Sequence, residues 1–346
     1  MQHPTSTTQA NRKHHMAGDF GTRFLPQMAI SHYNEGWSKE EMVTSETLVL
    51  HPGAHVFHYA STCFEGLKAF RQADGGVAIF RMDRNIARFA QSSRLLCLPE
   101  IDSVQTARMI SDSIAFYSDV VPDTPASLYI RPTHIGTEAA IGKAASPSET
   151  SCQYILLSPV GDYFQGGEAS LRILLDEQGV RCGSDHGMVK GGGNYASALK
   201  HIQQAEKQYK ANQVLFCPNG DVQETGAANF ILVDGNEVIT KSLDESFLHG
   251  VTRESLLTLA REQGMDVQER QLTVKELIER AGRPGCEAGL TGTAAVVAAV
   301  GTLIHNGREY PVGDGQPGPQ LRRLREQLNA IQWGNVADEH SWLTRV

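Results

Sequence analysis

The sequence has no C-x-x-C pair: its 6 cysteines, at positions 63, 97, 152, 182, 217 and 286, stand far apart. That spacing argues against a zinc site or a disulfide framework, so no metal is expected. Scattered single cysteines behave as small core hydrophobes, as suits a reducing, cytoplasmic compartment. No stretch is apolar and long enough to span a bilayer, and the N-terminus lacks the apolar core of a signal peptide. Basic residues are not in excess: 31 Lys and Arg face 39 Asp and Glu, a formal net charge of −8. That balance disfavours nucleic acid or an anionic membrane as the main partner. A G-x-S-x-G elbow and an H-E-x-x-H pair are both missing, and Gly142-Lys143 lacks the Ser or Thr that would complete a phosphate-binding loop. There is no internal repeat and no low-complexity tract.

What is present fits an α/β (α+β) enzyme. The 346 residues suggest two domains, and 33 glycines imply many tight turns. Residues 1–19 are polar and read as a flexible arm, with His14-His15 a solvated pair rather than a metal site. Val77–Phe80, Leu128–Arg131 (ending at a proline) and Tyr154–Leu157 read as strands. Ile86, Phe89, Ala90, Ser93 and Cys97 recur at helical spacing, with Asp83 as the N-cap. Pro and Gly in residues 158–169 mark a linker. It divides a smaller N-terminal α/β domain, 20–157, from a larger C-terminal one, 170–346. Within the latter, Leu171–Leu175 is a strand, and Ala198, Ile202, Ala205 and Tyr209 line a helix starting near Tyr195. Asn219-Gly220 supplies a hairpin turn, and another helix starts near Thr252.

Lys190 precedes Gly191-Gly192-Gly193-Asn194-Tyr195, where a planar ligand can approach the backbone closely. Lysine condenses with carbonyls, and pyridoxal phosphate is its usual partner in such a Schiff base. A solvated lysine at a glycine loop explains this stretch equally well. Gly191-x-Gly193-x-x-Ala196, with Asp221 downstream, also matches the dinucleotide fingerprint of a nicotinamide-dependent dehydrogenase, but the preceding residues 181–187 are polar and glycine-rich. Glu224 precedes a strand, and a carboxylate held there can keep a pyridine nitrogen protonated, although an ordinary turn glutamate reads the same way. Gly250-Val251-Thr252 runs into a helix N-terminus suited to an anion, and Thr291-Gly292-Thr293-Ala294 is a second glycine-hinged turn. Thr252 as a plain helix cap remains the alternative.

Taken together, Lys190-Gly-Gly-Gly-Asn-Tyr195, Glu224-x-Gly-x-x-Asn229-Phe230, Gly250-Val-Thr252-Arg253 and Gly292-Thr293-Ala294-Ala295 resemble the fold-type IV pyridoxal-phosphate enzymes. His58-Tyr59, Phe64-Glu65-Gly66, Tyr129-Ile130-Arg131-Pro132 and Ser158-Pro159-Val160-Gly161 narrow the likeness to the branched-chain amino acid aminotransferases, from about Gly21 to the end of the chain. The resemblance implies a two-domain fold whose C-terminal domain has a β-barrel-like core, assembled as a homodimer or higher homo-oligomer. It implies ping-pong exchange between L-leucine, L-isoleucine or L-valine and 2-oxoglutarate. Lys190 would carry pyridoxal 5'-phosphate and shuttle the proton. Tyr195 would bond the cofactor's phenolic oxygen, Glu224 its ring nitrogen, and Arg88, Val251, Thr252 and Thr293 its phosphate. Thr293, Ala294 and Tyr129 would hold the α-carboxylate. Tyr59 and Phe64, with Tyr195, would wall the side-chain pocket, and Arg131 would meet the distal carboxylate of glutamate. Val160 stands where some bacterial relatives have tryptophan, and Ala299 where many have proline. D-amino acid transaminase and aminodeoxychorismate lyase share the fold and remain alternatives, as does a binding protein without turnover.

Overall fold

The computed structural model describes residues 20–162 and 169–346; the expected arm, 1–19, and the middle of the expected linker, 163–168, lie outside the described residues. The described chain is mixed α/β, with two eight-stranded sheets and seven α-helices. It divides into two compact units. One holds residues 20–162, Val189–Gly192 and Ala330–Val346, and the other 169–188 and Gly193–Asn329. This differs from two consecutive domains, because Leu343–Arg345 pairs with Val77–Phe80 and Gly191 bridges to Cys63.

The first sheet has the order Leu343–Arg345, Val77–Phe80, Leu67–Arg71, Ser127–Gly136, Thr150–Val160, Gln27–Asn34, Glu41–Thr44, with Thr62–Phe64 paired to Ser127–Gly136. Strand alternation sends Leu67, Ala69, Leu128, Ile130, Ile155 and Leu157 to one face. There they pack with Met82 and Ile86 of the helix Met82–Leu95 and with Met109, Ile110 and Ile114 of the helix Ser103–Phe116. The opposite face carries Lys68, Tyr129 and Ser158, aligned across three strands by register, with Arg131 two residues beyond Tyr129.

Three local expectations are corrected here. The strand through Tyr129 continues past Pro132 to Gly136. The Pro132 carbonyl accepts from Glu65 N–H at 2.8 Å, so the ring nitrogen faces the same side, into the break between Phe64 and Leu67, where no ladder donor is needed. Ser158-Pro159-Val160 extends the strand Thr150–Val160 and is not linker. Asp83 lies inside the first turn of its helix, whose N-cap is Arg81 in the left-handed region at φ 50°.

The second sheet runs Asp266–Glu269, Glu237–Thr240, Asn229–Asp234, Glu287–Gly292, Val296–His305, Leu171–Asp176, Gln213–Phe216, with Arg308–Pro311 paired to Val296–His305. Among the described residues the pairing is a path with two ends. Phe230, Leu232, Ile239, Leu290 and Leu303 form its core with Val274, Leu277 and Ala281 of the helix Val274–Ala281. No strand feeds the glycine run: residues 181–190 are irregular and the helix Gly192–Tyr209 follows directly. A dinucleotide fold needs that strand, so the dehydrogenase reading fails. Among the described residues no helix is long and apolar enough to cross a membrane, and no group of three or more His, Cys, Asp or Glu could hold a metal.

Candidate active site

In the first unit Lys190 is fixed through its main chain. Its N–H donates to Ser92 Oγ at 3.1 Å, and its carbonyl accepts from Phe64 N–H at 3.0 Å. The Lys190 Nζ lies 4.9 Å from the centre of the Phe64 ring. Gly191 eases this approach, since a Cβ there would meet the Thr62 carbonyl at a tight 3.2 Å.

The support comes from a polar stripe on the helix Met82–Leu95. Asn85, Arg88 and Ser92 are buried and follow one another at spacings of 3 and 4, so they share one side of the helix. Asn85 Nδ2 donates to Glu65 Oε2 at 2.7 Å. Arg88 grips the same carboxylate with Nε at 2.7 Å and Nη2 at 2.8 Å. Burial pushes the Glu65 carboxyl up, but the Arg88 charge and hydrogen bonds, with Lys190 and Asn85, outweigh it and hold the group below the usual carboxylate range. Ser93 on the same helix bonds His134 Nδ1 at 3.0 Å, and Ser151 bonds its Nε2 at 2.8 Å. Burial drives the His134 pKa down to about 3, so it is a neutral core imidazole.

Tyr129 and Arg131 stand together on the sheet face opposite the helices Met82–Leu95 and Ser103–Phe116. Arg131 Nη2 donates to the Tyr129 hydroxyl at 2.8 Å, and its guanidinium lies over the Phe64 ring at 4.5 Å and the Tyr129 ring at 5.2 Å. Gly66 makes room: a Cβ there would sit 2.0 Å from the Tyr129 hydroxyl. Arg131 Nε and Ser158 Oγ are buried without a hydrogen-bond partner among the described residues, which leaves two orphaned donors on that face. Lys68, half-buried opposite Tyr129, has its pKa lowered to about 8 by burial, with the charge of Asp162 opposing. Phe20 packs its edge on Tyr129 at 5.0 Å. Tyr59 takes other partners: its ring packs at a tilt against His55 at 4.7 Å and its hydroxyl donates to the Ile141 carbonyl.

In the second unit the Asn219-Gly220 turn has both residues at positive φ, but it sits inside a longer loop closed by Phe216 and Gln223, and the strands Gln213–Phe216 and Asn229–Asp234 do not pair with each other as a hairpin. Phe216 N–H then donates to the Glu224 carbonyl at 3.0 Å, and Gln223 N–H to the Phe216 carbonyl at 3.0 Å. The Thr225 hydroxyl closes the next turn onto Ala228 at 2.9 Å, bringing Asn229 beside Glu224. Asn229 Nδ2 donates to Glu224 Oε2 at 3.2 Å, Leu248 N–H to Oε1 at 2.8 Å, and Arg181 Nη2 lies 2.8 Å from Oε1. Glu224 and Arg181 are both buried.

The helix Val251–Glu262 starts after an N-cap, Gly250, that makes no side-chain cap bond, so Thr252 is its second residue and not its cap. Its first N–H groups point outward with the positive end of the helix dipole. A Cβ at Gly250 would sit 2.0 Å from Asn229 Oδ1, which ties this turn to the Glu224 cluster. Thr293 and Ala294 lie in the turn between the strands Glu287–Gly292 and Val296–His305. Tyr195 is half-buried on the first turn of Gly192–Tyr209.

The first unit thus groups Lys190, Arg88, Phe64, Tyr129 and Arg131, and the second carries Glu224, Tyr195, Val251, Thr252, Thr293 and Ala294. An amine, a carboxylate beside a buried guanidinium, a guanidinium with an orphaned N–H and an uncapped helix N-terminus suit an aldehyde, a pyridinium, a carboxylate and a phosphate respectively. Glu65, Asn85, Ser92, Lys68, Phe20 and Arg181 were not assigned from sequence. The stripe 85-88-92 had a signal, being polar residues at helical spacing beside an apolar face; Arg181 had none.

A family model for class IV amino-transferases matches residues 62–300. The chain is 37% identical over 336 residues to branched-chain-amino-acid aminotransferase 2 of Bacillus subtilis, covering 94% of this chain and 92% of that one. It is 38% identical over 336 residues to a probable branched-chain-amino-acid aminotransferase of Streptomyces coelicolor, covering 94% and 91%. A crystal structure of a branched-chain amino acid aminotransferase (T.th.) with pyridoxamine 5'-phosphate superposes with a TM-score of 0.77 at 25% identity, covering 91% of this chain and 97% of that one. On fold, sequence and motifs alike, the chain belongs to the class IV aminotransferases.

Proposed function

We propose that the protein exchanges amino groups between L-leucine, L-isoleucine or L-valine and 2-oxoglutarate, in two ping-pong half-reactions, with pyridoxal 5'-phosphate carried on Lys190. The observation that carries this reading is the cluster of Lys190, Phe64, Tyr129 and Arg131 in one unit, which joins an amine, an apolar wall and a carboxylate-binding pair. Bound pyridoxal phosphate supplies an electron sink that stabilises charge at the substrate α-carbon. Lys190 Nζ would take the α-proton and return it two atoms along, in a 1,3 relation, a positioned transfer worth on the order of 10²–10⁴ in rate. The Glu224 carboxylate holds a proton on the ring nitrogen, and the Tyr195 hydroxyl bonds the phenolic oxygen. Arg88, the Val251 and Thr252 N–H groups and Thr293 hold the phosphate. N–H groups at Thr293 and Ala294, with the Tyr129 hydroxyl, orient the α-carboxylate.

Phe64, Tyr59 and Tyr195 form the apolar wall for a branched side chain. Arg131 serves the second substrate: its guanidinium lies over the Phe64 ring for leucine and offers its Nε to the distal carboxylate of glutamate. One pocket then accepts both substrates. We take the working assembly to be at least a homodimer, and a monomer by sedimentation at full activity contradicts that part. Product formation from L-leucine, with none from D-alanine or aminodeoxychorismate, is the expected outcome of a substrate comparison; turnover of either alternative with L-leucine inert overturns the reading.

A further inference from the structure

Glu65 is enclosed by residues that have a role, yet none has been given to it. It is 1% exposed and sits between Phe64, which binds the Lys190 carbonyl, and Gly66, which makes room for the Tyr129 hydroxyl. Its oxygens accept from Arg88 Nε and Nη2, from Asn85 Nδ2, and from Gly66 N–H at 3.2 Å. Its own N–H is anchored on Pro132. The charged and titratable groups around it are Arg88 from the helix, Lys190 from the segment that ends at the glycine run, and Cys63 on the strand that ends just before it. Tyr129 and Arg131 stand on the adjacent strand.

A staple between strand and helix does not need charge, since a buried ion pair gains little over a well-packed apolar pair. What a carboxylate adds is direction. A fork on Nε and Nη2 fixes the guanidinium plane, and the Nη1 end is then aimed away from Glu65. We infer that Glu65 is a positioning residue for the cofactor phosphate: by holding one edge of Arg88 it sets the orientation in which the other end meets a phosphate group. This rests on the reading of Arg88 as a phosphate residue.

The test compares the affinity of the cofactor-free full chain for pyridoxal 5'-phosphate with that for pyridoxal, which lacks the phosphate. Glu65→Gln keeps the size of the side chain but presents an amide N–H to the guanidinium. The expected result is a fall of about tenfold or more in the phosphate preference, as for losing a charge-assisted hydrogen bond, with pyridoxal affinity little changed. Arg88→Gln lowers the preference too, and the double variant falls no further than Arg88→Gln. Glu65→Asp keeps the charge but falls short by one methylene, and it is expected to lose preference as well, which covers a poorly folding Glu65→Gln. A lower melting temperature with an unaltered phosphate preference in both Glu65 variants, while Arg88→Gln loses it, makes Glu65 a staple and overturns the inference alone. An unaltered preference in Arg88→Gln overturns the Arg88 reading itself.

Discussion

Glu65 with Arg88 in the first unit and Glu224 with Arg181 in the second are both buried carboxylate–guanidinium pairs, but they are held in different ways. One guanidinium edge takes both oxygens of Glu65. At Glu224 a single nitrogen, Arg181 Nη2, divides itself between the carboxylate at 2.8 Å and the Gly187 carbonyl at 2.7 Å. The fork fixes a plane, whereas the single contact supplies charge without fixing one. In the first unit the carboxylate serves the arginine; in the second the arginine serves the carboxylate, whose own orientation comes from Leu248 N–H and Asn229.

The largest effects come from removing either carboxylate outright. Glu65→Ala and Glu224→Ala each leave a guanidinium buried without its acid, and a loss of about 3–5 kcal/mol in denaturant unfolding is expected. A loss in Glu65→Ala well below that, about the size of a surface substitution, removes the basis for treating the first pair as a charged fork. Next in size are two glycines, one beside each cluster. Gly66→Ala drives a Cβ into the Tyr129 hydroxyl and Gly250→Ala drives one into Asn229 Oδ1, each costing about 1–3 kcal/mol as overpacking. Gly66→Ala is expected to raise the KM for leucine through Tyr129 and Arg131, and Gly250→Ala to weaken cofactor retention through Glu224. Equal effects of both variants on both measurements contradict the division of roles.

The last effect is a slope with pH. The folded pKa of His134 is about 3, below its ordinary 6.5, so unfolding takes up a proton in the window between them. Its contribution is whole above pH 6.5 and is lost as pH falls towards about 3, by at most about 1.4 kcal/mol per pH unit. Glu65 has the same sign in a more acid window, since its depressed pKa loses stability only below the usual carboxylate range. His134→Gln is expected to flatten the upper part of the slope in denaturant midpoints measured across that range. An unchanged slope places the acid sensitivity elsewhere.

Legibility followed physical locality. The Asn219-Gly220 turn and the apolar stripe of the helix Met82–Leu95 were readable because short-range geometry decides them. Lys190, Phe64, Tyr129 and Arg131 were named from motifs, and the structure brings them together. Pro132 and Pro159 misled, because whether a proline ends a strand depends on which neighbour its nitrogen faces. Arg181 was invisible, since its tie to Glu224 spans 43 positions of sequence with no periodic signal. Glu65 stood in plain view within a motif, but its pairing with Arg88 needs a strand packed on a helix, which no spacing reveals. Tyr59 was named as pocket wall, and in the chain taken alone its hydroxyl is engaged by Ile141.

The proposed amino-group transfer depends on Lys190, and a single-turnover measurement tests it most directly. The purified, cofactor-loaded protein is mixed with L-leucine alone, then with 2-oxoglutarate. The yellow absorbance is expected to fade as one equivalent of oxo acid appears, then to return as one equivalent of glutamate forms, with neither change in Lys190→Ala. An unchanged spectrum in the native protein, or the full cycle in Lys190→Ala, contradicts it.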